Sequence, residues 1–118
     1  MFRNDRQICE AVRVLLRSIR LEHLWTDFGP TDEALKLLED RGSPLSHGEA
    51  VMVLTAFDFW NGDGKVEFRE LLTVLDRERL ALVASLMLAS SEGSDAVDRW
   101  MAQYHARSAG GCVWTRRD

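Results

Sequence analysis

Apolar residues recur at helical spacing along most of this chain. Between about Asp5 and Leu24, the residues Ile8, Val12, Leu15, Leu16 and Ile19 fall on one stripe of an α-helix, with Asn4 or Asp5 as its N-cap. The run Asp27-Phe28-Gly29-Pro30 stops that helix and turns the chain. A shorter second helix follows, capped by Thr31, with Asp32 and Glu33 at its positive end, Leu35 and Leu38 facing inward and Gly42 as its left-handed C-terminal residue. Ser46-His47-Gly48-Glu49 has the spacing in which Ser and Glu side chains satisfy each other's free backbone donors, so a third helix starts there. It carries Ala50, Val53, Leu54 and Phe57 and ends at Asn61-Gly62-Asp63-Gly64, where Asn and Gly tolerate positive φ.

Val66-Glu67-Phe68 reads as briefly extended. From Arg69 to Ser90 the pattern predicts either one long helix or a short one followed by a second that Asp76 caps. Leu80 to Ala89 is apolar on nearly every side, which predicts a helix at the centre of a bundle. Glu92-Gly93-Ser94 breaks it, and Ser94 caps a last amphipathic helix bearing Val97, Met101 and Tyr104. The expected architecture is all-α: a compact bundle of five or six helices in one domain over residues 1–107, with residues 108–118 as a flexible tail.

Composition agrees with a folded domain. The 118 residues are 46% hydrophobic and 29% charged, enough to build one helical core. No apolar run reaches the roughly 18 residues needed to cross a bilayer, and Met1 to Glu10 lacks the apolar stretch of a secretory signal, so the expected setting is the cytoplasm. Cys9 and Cys112 have no C-x-x-C spacing and read as reduced thiols. The net charge of −4 is uneven: residues 25–76 hold four bases against eleven acids, whereas residues 1–24 hold five Arg against three acids. An acidic middle argues against a general nucleic-acid binder.

Catalytic chemistry finds little footing. His23, His47 and His105 lack ligand spacing, and neither a nucleophile elbow nor a cysteine-protease signature is present. Two features suit contact with another molecule. Arg6, Arg13, Arg17 and Arg20 form a stripe opposite the apolar face of the first helix, suited to phosphates or an acidic partner, or to plain solvation. Of the four Trp, Trp60 and Trp100 read as core, while Trp25 and Trp114 are the candidates for contacts with a partner.

Residues 61–70, Asn-Gly-Asp-Gly-Lys-Val-Glu-Phe-Arg-Glu, carry a further pattern, and the segment 58–70 resembles a single divergent EF-hand calcium loop. The resemblance implies Ca²⁺, weakly held, as the one candidate cofactor, with Asn61 and Asp63 giving side-chain oxygens, Lys65 a backbone carbonyl and Glu70 a bidentate carboxylate. The first-ligand position falls on Phe59, so Asp58 reaches an ion only if the loop bulges. The other reading is a helix-stopping turn, with Glu67 and Glu70 at the start of the next helix and Phe57, Trp60 and Phe68 in the core. The stretch Phe57 to Asp76 is also similar, in pattern, to small uncharacterised helical proteins of bacterial mobile elements. The expected function is a non-enzymatic protein that binds another protein, homodimerisation being open. The alternatives are a divergent calcium binder and a phage or mobile-element inhibitor of a host or defence complex.

Overall fold

Asn4 opens the first helix, its side-chain oxygen accepting the Gln7 amide at 2.9 Å, and helix α1 runs Asp5–Arg17. The computed structural model describes residues 1–109, and the side chains of residues 1–104 among them. The helix expected as far as Leu24 ends early. Arg20 takes the left-handed conformation at φ 61°, the Leu21 amide reaches back to the Leu16 carbonyl at 2.9 Å, and the Arg20 amide reaches that of Arg17 at 3.0 Å. Those two bonds close the helix as glycine usually does, with an arginine in glycine's place.

A single 3-10 turn at Glu22–Leu24 leads into a ladder absent from the expected architecture. Strands β1 (Trp25–Thr26) and β2 (Gly29–Pro30) pair antiparallel, Trp25 opposite Pro30 and Thr26 opposite Gly29. Helix α2 (Asp32–Glu39) starts where Thr31 Oγ1 accepts the Ala34 amide at 3.2 Å. It buries Ala34, while Leu35 is exposed and Leu38 half-buried, so the inward face lies about one residue from the expected one. Gly42 takes the expected positive φ, at 92°, and Arg41 before it, at φ 54°, does so as well. Gly42 serves another purpose, since a Cβ there would overlap Ala50 of the next helix.

Helix α3 (His47–Trp60) begins with the expected reciprocal pair, each of the Ser46 and Glu49 side chains 3.3 Å from the other's amide. The chain from Arg69 to Ser90 resolves into two helices, α4 (Phe68–Val74) and α5 (Arg77–Glu92), with Asp76 Oδ1 accepting the Arg79 amide at 2.8 Å. Val66 to Phe68 forms no strand; Phe68 is already helical. Helix α6 (Ser94–Ala109) follows Gly93, with Ser94 as its first residue instead of its cap. The expected tail begins within this helix, and its remainder, with Cys112 and Trp114, lies outside the described residues.

The centre of the bundle is not where the apolar run Leu80–Ala89 suggested. Helix α1 packs against α3, α5 and α6, and α3 is also flanked by α2 and α4. Every residue of α3 from Ala50 to Phe57 is buried. Helix α5 packs on α6 and α1 through Leu82, Val83, Leu86 and Ala89, and leaves Ala81, Ala84, Met87 and Leu88 exposed. One core cluster joins α1, α3, α5 and α6 through residues such as Val12, Leu15, Phe57, Leu86 and Trp100.

A polar lock fixes α1 on α6. Buried Gln7 donates from Nε2 to the Ser94 carbonyl and to Asp98 Oδ1, both at 2.9 Å, and its Oε1 accepts the Arg3 amide at 2.6 Å. Arg3 Nη2 donates to Asp98 Oδ2 at 2.6 Å. Every hydrogen-bonding group of that buried amide is therefore used, as its burial requires. Among the described residues no helix is long and apolar enough to cross a membrane.

Candidate functional site

The ladder β1–β2 has a two-residue tip, Asp27-Phe28, and strand alternation sorts its neighbours. Trp25 points inward and is 2% exposed, its ring edge-on to Phe57 with centroids 4.8 Å apart and to Trp60 at 6.4 Å. The expectation that Trp25 meets a partner is thus corrected: it anchors the ladder in the core. Thr26 points outward, and its Oγ1 accepts the Phe28 amide and donates to the Gly29 carbonyl, both at 3.1 Å. Gly29, at φ 137°, lies under the Trp60 ring, where a Cβ would come within 3.2 Å of Cζ2. Both features call for glycine. The tip is held from inside and outside, and Phe28 at its apex is 93% exposed.

Charge completes the hold. Arg13 Nη2 lies 2.6 Å from Asp27 Oδ1, and Arg6 Nη2 lies 3.9 Å from Asp27 Oδ2. The expected stripe of Arg6, Arg13, Arg17 and Arg20 is therefore not one free face. Arg13 clamps the tip, Arg17 approaches Glu22 Oε2 at 3.7 Å, and Arg20 has left the helix. The hydrogen bond and charge of Arg13 hold the Asp27 carboxyl below its ordinary value of 3.8, and the Arg3 and Gln7 hydrogen bonds lower Asp98 in the same direction.

A carboxylate lowered on folding contributes stability that is fully present above its ordinary pKa and is lost as pH falls through the folded value. Acid should therefore weaken the fold progressively from about pH 4 downward. Asp27→Asn with Asp98→Asn should flatten that limb of a melting-temperature profile. An unchanged profile would show that neither pair contributes.

The second candidate, the segment 58–70, is arranged around one side chain. Asp58, on the last turn of α3, accepts the Lys65 amide at 2.7 Å and the Val66 amide at 2.8 Å, one on each carboxylate oxygen. Asn61 Oδ1 accepts the Asp63 amide at 3.0 Å, and its Nδ2 donates to Asp63 Oδ2 at 2.8 Å. Glu70 Oε1 accepts the Glu67 amide at 3.3 Å, and its Oε2 lies 3.6 Å from His47 Nε2. Arg41 donates to the Gly64 carbonyl at 2.7 Å, tying the end of α2 to the loop.

Both Asp58 oxygens, Asn61 Oδ1, Asp63 Oδ2 and both Glu70 oxygens are thus engaged with neighbouring amides or side chains. Among the described residues no group of three or more His, Cys, Asp or Glu is placed to hold a metal ion. An ion entering the loop would have to displace several of these bonds. Calorimetric titration with Ca²⁺ should give a dissociation constant weaker than about 100 µM or no heat, so that 1 mM Ca²⁺ adds at most about 1.4 kcal/mol. A micromolar constant, lost in Asp63→Ala and Glu70→Ala, would contradict this.

Two exposed apolar residues were expected elsewhere or not singled out. Phe68, expected in the core, is 73% exposed, and Leu72, one turn along α4, is 53% exposed. Leu71 turns inward, and Phe68 and Leu72 lie about 60° and 100° round the helix from it. In the sequence Phe28 reads only as part of a helix stop, because nothing local signals that its side chain lacks a surface to pack on. Cys9 is fully buried, and burial pushes its thiol up, which leaves it a packing residue. No family model, curated protein or solved structure matches this chain.

Proposed function

We propose that this chain acts by binding another protein, without catalysis, and that Phe28 is its leading contact. The observation that carries the reading is the exposed phenyl ring at the apex of a turn braced by Thr26, by Asp27 on Arg13 and by Trp25 in the core. Single apolar side chains on a surface are ordinary. Phe28 differs in being presented on a backbone whose flanking groups are all fixed. An aromatic ring held in advance contributes its burial to binding with little ordering cost. The free, buried thiol of Cys9 suits the reducing cytoplasm.

Because Phe28 touches little within the chain, Phe28→Ser should change stability by less than about 0.5 kcal/mol. Its effect should fall on association. In cells that produce the chain, proteins that co-purify with it should be lost or reduced at least tenfold with Phe28→Ser at equal expression. The reading fails if the same proteins co-purify undiminished.

A further inference from the structure

The surroundings of Phe28 specify more than an apolar contact. Arg6 reaches the residue before it: the guanidinium is 3.9 Å from Asp27 Oδ2, the side chain is 70% exposed, and Asp27 is already engaged by Arg13 at 2.6 Å. Two guanidinium groups thus converge on one carboxylate, and the outer one keeps most of its donors for solvent. Glu10, the next acid along α1, forms no ion pair with Arg6 or Arg13.

Resting on the reading of Phe28 as the leading contact, we infer that the partner surface is an apolar pocket with a carboxylate at its rim, Phe28 entering the pocket and Arg6 pairing with the acid. A convex aromatic tip fits a concavity and not a flat face. A guanidinium with free donors beside it selects a carboxylate, because leaving its donors desolvated and unpaired at the edge of a contact is costly. The arrangement gives Phe28 the affinity and Arg6 the orientation and the salt dependence of association.

Selection of a displayed library of small folded domains with a randomised concave face on the purified chain tests this without knowledge of the natural partner. Enriched domains should place apolar residues in the concavity and at least one Asp or Glu at its edge. Their binding should be abolished by Phe28→Ser, weakened about tenfold or more by Arg6→Glu, and weakened by raising the salt concentration. Domains that depend on Phe28 but carry no acid, or that ignore Arg6→Glu, would overturn the assignment of Arg6 while leaving Phe28 as the contact. Enrichment only of domains that ignore Phe28→Ser, or no enrichment, would overturn both. Both variants alter exposed side chains, and circular dichroism of each confirms that loss of binding is not loss of fold.

Discussion

Gly64→Ala should destabilise the protein by about 3–5 kcal/mol, a large share of the roughly 5–15 kcal/mol that holds such a domain folded. A Cβ at residue 64 would overlap the carbonyl oxygen of Leu54, with the Leu54 carbonyl carbon at 2.7 Å and the Asp58 carboxyl carbon at 3.1 Å. Leu54 belongs to the fully buried stretch of α3, so its backbone cannot retreat, and the loop must move instead. Moving it pulls the Lys65 and Val66 amides off Asp58 and the Gly64 carbonyl off Arg41. Overpacking ordinarily costs about 1–3 kcal/mol, and here the loss of those bonds adds to it. Gly48→Ala is the control: nothing lies within 4 Å of a Cβ there, so the helix should gain up to about 1 kcal/mol. Urea denaturation of the two variants measures both, and a neutral Gly64→Ala would show that the loop does not rest on α3.

Phe57→Ala should cost about 3–5 kcal/mol, and Leu88→Ala less than about 1 kcal/mol. Phe57 is 1% exposed, joins the core cluster and supports the Trp25 ring, so its removal leaves a cavity under the base of the exposed turn. Leu88 stands on the exposed side of α5. The contrast locates the centre of the bundle at α3. Equal losses at the two positions would return it to α5.

Helix starts were legible because a cap is a local bond: Asn4, Thr31, the Ser46–Glu49 pair and Asp76 each sit where their spacing to the next amides places them. Helix ends were less so. Arg20 and Arg41 occupy left-handed positions that composition assigns to glycine, and what holds them there is the packing of the following segment. The all-round apolar pattern that identifies a central helix was present in α3 as well as α5, and only the count of neighbours separates them. Around α4, Phe68, Leu71, Leu72 and Leu75 have the i, i+3, i+4, i+7 spacing of a buried stripe, and nothing in that spacing reports that Phe68 and Leu72 stay outside while the chain leaves the helix at Leu75.

The site was legible in parts but not in its arrangement. Charge and residue type point to Arg6, Arg13 and Trp25 as contact residues. Instead, Trp25 packs in the core and Arg13 holds Asp27, and of the three only Arg6 keeps an open side. Which aromatic of Trp25 and Phe28 faces solvent depends on the two-residue ladder, and a ladder so short leaves no periodicity in the sequence. In sequence Asp58 stands one residue before the first position of an ion-binding loop. Its part in holding the Lys65 and Val66 amides required the loop to fold back on α3, which no spacing rule reports.

The claim that Phe28 meets another protein is tested most directly by replacing it with the photoreactive amino acid benzoylphenylalanine in cells that produce the chain. Irradiation should give a discrete covalent adduct with a different polypeptide from position 28, while the same group at Phe68, also exposed, gives none or far less. An adduct from position 68 alone, an adduct with a second copy of this chain, or no adduct from position 28 would contradict the account.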